Sequence, residues 1–313
     1  MLITLFLNQF KTVSYNYVNV GEFVFMKLIG ISNMAVFFFI SGYIWDQTAR
    51  INNLKEGTSY FLKKTVQIFL PFVVWTFLVY PYFFQTDWEI WNIAQIKNEF
   101  EEPHLWFLLT LYGYSFYFVA FKLINIKNRW AGILFWGGIL LVLGIVWYKY
   151  KFFKMETLYM PYFAFGVLLS QTNLVNRLFL NKLVPTLAFF SIFILTMFWV
   201  SGATSLTNVV IKLIVSFSVI SLVYLITNQF TWNKYVNDFI VNCGKQSLAI
   251  YVIHWSFLAL LHEKLEIIHN ELLAFIPVLL FAVLISYVCM FLRNCIKFSP
   301  FLSTLLFGDF KKK

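Results

Sequence analysis

Residues 22–45 read EFVFMKLIGISNMAVFFFISGYIW, and this stretch decides the fold class. A bilayer core of about 30 Å is crossed by about 20 apolar residues in a helix, and the stretch is long enough to do so. Its centre, Val36-Phe37-Phe38-Phe39-Ile40, is apolar at every position. A barrel strand would alternate polar and apolar side chains with a period of two, and this one does not. Reading outward, comparable runs follow at 66–84, 104–121, 130–147, 158–171, 183–201, 208–227, 246–261 and 273–292. The expectation is an all-α, polytopic transmembrane helix bundle with nine full spans, forming one integral-membrane domain over 1–313. Met1 to Phe10 (MLITLFLNQF) is apolar but half the needed length, and too short for a signal peptide with a basic start and a cleavage site. It reads as a partial first helix whose beginning is missing. Residues 293–313 read as a basic cytoplasmic tail.

Composition agrees. Of 313 residues 60% are hydrophobic and 12% charged, with a mean hydropathy of +0.74. A soluble domain has about 45–50% apolar and about 25% charged residues, so a soluble fold is excluded, as are disorder, collagen and a coiled coil. Three cysteines, Cys243, Cys289 and Cys295, are too few for a disulfide framework or a zinc site, and no metal is expected. No Walker, Rossmann, HExxH or GxSxG motif is present.

The net charge of +10 sorts by loop. One set of loops holds Arg50, Lys55, Lys63 and Lys64, then Lys122, Lys127 and Arg129, then Arg177 and Lys182, Lys234 and Lys245, and finally Arg293, Lys297 and Lys311 to Lys313. Most acidic residues fall in the other set. Lysine and arginine collect on the cytoplasmic side, which gives a multi-pass protein with a cytoplasmic C-terminus. Loop 148–157 is the exception, with Lys149, Lys151 and Lys154 against Glu156 on the expected outer side. Basic residues split over separate loops serve topology and the anionic bilayer surface, so no nucleic-acid partner is expected.

Polar groups within spans are the best functional pointers in a membrane chain. Lys245 marks the inner end of one helix, and nine residues at about 1.5 Å each place His254 roughly 13 Å deep. Ser247, Tyr251 and His254 share a face at i, i+4 and i+7, fit either to line a polar cavity or to bond neighbouring helices. Asn33 lies mid-span, where its amide must find a partner. Ser41-Gly42-Tyr43 reads as a close helix contact or a polar lining. His104, followed by Trp106, sits at the expected outer surface, as an interfacial anchor or a substrate contact. His262 and His269 read as solvated, and Lys27 as snorkelling. These residues leave a transporter, a channel or a membrane enzyme.

Five segments in order resemble the membrane acyltransferase 3 family of bacterial integral-membrane O-acyltransferases. They are Asn33-Met34-Ala35-Val36-Phe37-Phe38-Phe39-Ile40-Ser41-Gly42-Tyr43; Phe61-Leu62-Lys63-Lys64 with Pro71-Phe72 and Trp75; His104-Leu105-Trp106-Phe107-Leu108; Tyr162-Phe163-Ala164-Phe165-Gly166; and Gly244-Lys245-Gln246-Ser247-Leu248 with Tyr251 and His254. The resemblance implies a ten-helix architecture in the bacterial cytoplasmic membrane. It implies acyl transfer, usually of acetyl from acetyl-CoA and without a permanently bound cofactor, to hydroxyls of a cell-surface polysaccharide or its lipid-linked precursor. The family's first-helix arginine and histidine have no counterpart here, since Asn8 or Gln9 stands at the histidine position, and its His-Met-Pro is Asn33-Met34-Ala35. His254 is then the expected base, Lys63 and Lys64 the contacts for CoA phosphates, and His104, Trp106, Asn33, Ser41, Tyr43, Ser247 and Tyr251 the substrate or pore lining. A non-catalytic glycan exporter and an accessory membrane subunit of polysaccharide synthesis are the competing expectations.

Overall fold

The computed structural model describes residues 24–81, 105–124, 156–171, 183–198, 206–229, 233–261 and 271–309, with scattered positions in 94–97 and 135–146. Every element among them is helical. In chain order they are α1 (Val24–Thr48), α2 (Leu54–Lys64), α3 (Leu70–Val74), α4 (Trp106–Leu123), α5 (Met160–Gln171), α6 (Leu183–Phe198), α7 (Leu206–Gln229), α8 (Lys234–Lys245), α9 (Ser247–Leu261), α10 (Glu271–Ile296) and α11 (Pro300–Phe307). The expected all-helical class holds. Leu54–Val79, Trp106–Leu123 and Thr207–Thr227 are long and apolar enough to cross a membrane, and shorter apolar helices run over Met160–Ser170, Leu187–Thr196 and Leu280–Ile296. A count of nine crossings does not follow from the described residues. The expected span 130–147, beyond scattered positions, and the partial helix 1–10 lie outside them.

The chain forms two compact units, one of Met1–Asp46 with Pro161–Leu292 and one of Gln47–Met160 with Arg293–Lys313. In the first unit, α6 and α7 pack along their lengths and α1 lies on them. Ile31 of α1 is buried with Ile192 of α6 and with Ile211 and Val215 of α7. Small polar residues close these contacts: Ser216 Oγ donates to Ile31 O at 3.2 Å, and the hydroxyls of Ser191 and Ser218 meet at 2.8 Å. The opposite face of α6 leaves Leu187, Phe189, Phe190, Ile194 and Phe198 exposed, the surface of a helix that meets lipid rather than water. α1 and α5 approach through two glycines. A Cβ on Gly42 would collide with the backbone carbonyl of Phe163, and one on Gly166 with the backbone carbonyl of Phe39. Absence of a side chain at both positions lets the two backbones touch.

In the second unit the span expected from residue 66 begins earlier. Asn53 caps α2 by accepting from Glu56 N at 2.9 Å, while the Glu56 carboxylate accepts from Asn52 N at 2.9 Å. This variant of the capping box satisfies amide groups that a helix start leaves bare. The helix then runs on through π turns at Thr65–Phe69 and Trp75–Val79, on either side of α3. Pro71 cannot donate to the carbonyl one turn back, and a widened turn is one way a helix absorbs that loss. α11, within the expected tail, packs on this region. Trp75 Nε1 donates to Leu306 O at 2.9 Å, and Gly308, in the left-handed region at φ 64°, lies against the backbone of Val66 and Gln67. Arg293 and Asp309 form an ion pair at 2.7 Å, and the Asp309 carboxylate also accepts from Ser303 Oγ at 2.7 Å.

Candidate active site

α8 and α9 are separated by the single residue Gln246, so the short amphipathic helix turns directly into the apolar one. Asn233 caps α8, its side chain accepting from Tyr235 N at 3.1 Å. Along α8, Tyr235, Val236, Phe239, Ile240 and Cys243 recur at helical spacing, with lysine at both ends. That pattern suits a helix lying at a membrane surface.

Beneath α8 is a cavity of about 540 Å³. α1 contributes Ser32, Asn33, Val36, Phe37 and Ile40; α8 contributes Phe239, Ile240, Cys243 and Gly244; α9 contributes Ser247 and Ile250; α10 contributes Ala282, Val283 and Ser286. Two sequence-selected residues, Asn33 and Ser247, therefore meet in one cavity although far apart in the chain. The Asn33 Oδ1 accepts from Met34 N, leaving its Nδ2 buried with no acceptor among the described residues. Burial raises the Cys243 thiol above the ordinary value of 9.0.

His254 is fully enclosed, 2% exposed. Its Nδ1 lies 2.8 Å from Ile250 O, one turn back on the same helix. A carbonyl oxygen only accepts, so Nδ1 carries the proton and Nε2 the lone pair. Nε2 is buried without a hydrogen-bond partner among the described residues. The Tyr251 ring lies 5.9 Å from the imidazole, centroid to centroid. Ser247, Ile250, Tyr251 and His254 thus occupy one side of α9, as the spacing predicts, but the cavity reaches only Ser247 and Ile250. His254 stands one turn beyond it, and Tyr251 is buried beside the histidine.

Ser41 and Tyr43 belong to the α1–α5 contact rather than to the cavity. Both are half-buried beside Gly42, and the Tyr43 backbone nitrogen lies close to Gly166. One turn further, Ser170 Oγ donates to the Asp46 carboxylate at 2.6 Å. Lys63, Lys64 and Trp106 lie in the other unit. Lys63 is exposed, and Lys64 is half-buried with its Nζ 5.4 Å from the Tyr60 ring centroid. Trp106 opens α4 with its ring 5.6 Å from that of Tyr159. Beside it Tyr114 OH donates to Glu156 O, and Glu156 N donates to Thr110 Oγ1 at 3.4 Å. His104, Asn8 and Gln9 lie outside the described residues. Sequence reasoning missed Ser32, Cys243 and Ser286 as cavity lining. The apolar period of α8 is the signal that points to Cys243, whereas a lone serine in a span carries none.

The comparison with family models decides the class. An acyltransferase domain model, that of the acyltransferase 3 family, matches residues 4–291. The chain belongs to this family. Neither the curated proteins nor the solved structures gave a match. Membership together with the apolar helices makes this acyltransferase-family chain a membrane protein of the O-acyltransferase kind. The α1–α5 crossing also gains meaning, because two of the five segments that carried the resemblance are the ones that touch there. The Ser-Gly-Tyr stretch packs its glycine on the Phe163 backbone, and the aromatic-Phe-Gly stretch packs its glycine on the Phe39 backbone.

Proposed function

We propose that the protein transfers an acyl group, acetyl from acetyl-CoA in the simplest case, to a hydroxyl of a cell-surface polysaccharide or its lipid-linked precursor, from the bacterial cytoplasmic membrane. Family membership supports the reaction class. The observation that carries the assignment of residues is His254, buried one turn along α9 from the cavity wall, with Nδ1 committed to Ile250 O and Nε2 without a partner among the described residues. In the reaction the sugar hydroxyl oxygen attacks the thioester carbonyl carbon and forms the new C–O bond. The C–S bond then breaks. Nε2 takes the hydroxyl proton and returns it to the leaving thiolate, so the products are an ester and free CoA thiol. Such a base contributes about 10²–10⁴-fold. The Asn33 Nδ2 is an available donor for the oxyanion. Ser247 orients the acceptor from the cavity wall, and Tyr251 holds the imidazole plane. Lys63 and Lys64 receive the CoA phosphates, and His104 with Trp106 contacts the glycan.

NMR of surface glycan from a deletion strain tests the reaction. The polymer is expected to persist without its O-acyl signals; a polymer that disappears or stays inside the cell points to export, and an unchanged, fully acylated polymer overturns the proposal. Complementation with His254→Ala tests the base. Acylation is expected to fall about 10²–10⁴-fold at equal membrane protein level, and retained acylation removes His254 from the site.

A further inference from the structure

The helix that carries Lys63 and Lys64 widens immediately after them. Thr65–Phe69 is a π turn, which holds one residue more than an α turn, is rare, and gathers at functional sites. One inserted residue rotates everything before it by about 100° relative to everything after it. The direction in which Lys63 and Lys64 project from the helix therefore depends on where the widening falls. Pro71 explains why the helix widens, and the neighbours of the turn explain where. The first neighbour is α4. Tyr112 OH and Thr65 Oγ1 meet at 3.0 Å, and the Tyr112 ring stacks on those of Phe61 and Phe69 at 5.2 and 5.0 Å. The second is α11. Gly308, just past its end, sits so close to the turn that a Cβ there would stand 2.4 Å from the Gln67 Cα.

α11 is itself fastened at both ends and along its length. The Ser299 side chain caps its start by accepting from Leu302 N. Phe307 is 3% exposed, with its ring 6.4 Å from that of Trp75 and 5.9 Å from the Arg293 guanidinium. Past the helix, the Asp309 carboxylate is held by Arg293 and by Ser303 Oγ, and Thr304 Oγ1 donates to Asp309 O at 2.7 Å. The Arg293 and Asp309 side chains are 11% and 32% exposed, so salt screens this pair less than one at an open surface.

We propose that α11 is a positioning element for the acyl donor: seated on the π turn and kept there by the Arg293–Asp309 pair, it holds Lys63 and Lys64 in the orientation that receives the phosphates of CoA. The proposal rests on the reading of these two lysines as the CoA contacts and adds the residues that aim them. When α11 is released, the widened turn is free to move along the helix. Once it has passed Lys63 and Lys64, both have turned by about 100° and donor affinity falls.

The test compares the full chain in nanodiscs with Asp309→Lys, which sets a like charge against Arg293, and with the reversed pair Arg293→Asp/Asp309→Lys. Hydrogen exchange of the amides in 65–70 reports on the turn, and the Kd of radiolabelled CoA reports on the donor site. Asp309→Lys is expected to speed exchange and to weaken CoA about tenfold, as a seated fraction of about one tenth requires, and the reversed pair to bring CoA back to within about threefold of the parent. In turnover the acyl-donor KM rises with the Kd, while kcat and the acceptor KM keep their values. Unchanged exchange, faster exchange at unchanged CoA affinity, a reversed pair as weak as Asp309→Lys, or a lower kcat at unchanged KM each overturns the proposal. Trp75→Phe keeps the ring and loses the donor to Leu306 O, and it serves where charge reversal keeps the protein from accumulating. It is expected to move exchange and Kd in the same direction, by about threefold, and no change in either overturns the proposal. Lys63→Ala/Lys64→Ala tests the underlying reading by itself. It is expected to weaken CoA about tenfold with exchange over 65–70 unchanged. Normal CoA affinity in that double variant sinks the lysine reading and the proposal with it; weakened CoA there, with normal affinity in Asp309→Lys, sinks the role of α11 alone.

Discussion

At the scale of single residues, the polar groups within spans divide into those with partners and those held in reserve. Ser32, Ser115 and Ser286 each bond a carbonyl one turn back on their own helix, the inexpensive solution for a hydroxyl in lipid. Asn33 Nδ2 and His254 Nε2 have no such solution among the described residues. An unsatisfied buried donor costs about 1–3 kcal/mol, and a protein retains that cost where function needs it. Asn33→Leu is therefore expected to leave the detergent Tm unchanged or raised, while kcat falls about 10²–10³-fold through loss of an oxyanion donor. A fall in Tm with kcat preserved places Asn33 among structural residues instead. Both residues were legible in the sequence because a mid-span amide or imidazole stands out against an apolar background. The turn of the His254 ring onto its own helix was not legible. Spacing fixes the face of a helix, whereas the packing around a ring decides which of its atoms meets what.

At the scale of elements, the long apolar helices were legible and the joints between them were not. The expected runs 183–201, 208–227, 246–261 and 273–292 reappear as α6, α7, α9 and α10 with ends shifted by a few residues, because length and hydropathy set them. By hydropathy and charge alone the α8 segment reads as a loop. Its polar residues lower the average over 234–245, and only the 3.6-residue period of its apolar positions marks it as a helix. A proline in an apolar run ordinarily marks a helix start or kink, yet at Pro71 the helix passes through it by widening at Thr65–Phe69. The glycines are the better signal: Ser41-Gly42-Tyr43 reads as a close helix contact or a polar lining, and α5 is what approaches Gly42. Gly42→Ala and Gly166→Ala each drive a methyl into backbone, which has less room to give than a side chain. Each is expected to destabilise the protein by about 1–3 kcal/mol, read as a lower Tm in detergent, and the double variant to cost less than the sum because the first methyl already separates the helices. Strictly additive losses would mean that the two glycines do not share one contact.

At the scale of the whole molecule, the net charge of +10 is a statement about sidedness, and several contacts bear on it. Lys122 Nζ donates to Ala49 O at 2.9 Å, joining two residues that the charge sorting assigns to the cytoplasmic side. Gly308 of the expected cytoplasmic tail lies on Val66 and Gln67, at the expected cytoplasmic end of their span. Glu156, from the expected outer loop 148–157, bonds through its backbone to Thr110 near the outer end of α4. Each contact pairs like with like. The last one bears on the loop whose three lysines oppose the usual rule: it ties Glu156, at the end of that loop, to the end of α4 that the charge sorting expects outside. Its burden is modest, since each lysine near an anionic surface contributes about 1 kcal/mol, while the apolar helices on either side set the alternation. A fluorescent protein fused after Lys313 is expected to fluoresce, and alkaline phosphatase at the same place to stay inactive. Fused after Lys151, alkaline phosphatase is expected to be active and the fluorescent protein dark. The same sidedness at both positions would mean that an odd number of crossings does not separate Lys151 from the C-terminus, and the orientation derived from charge would fall with it.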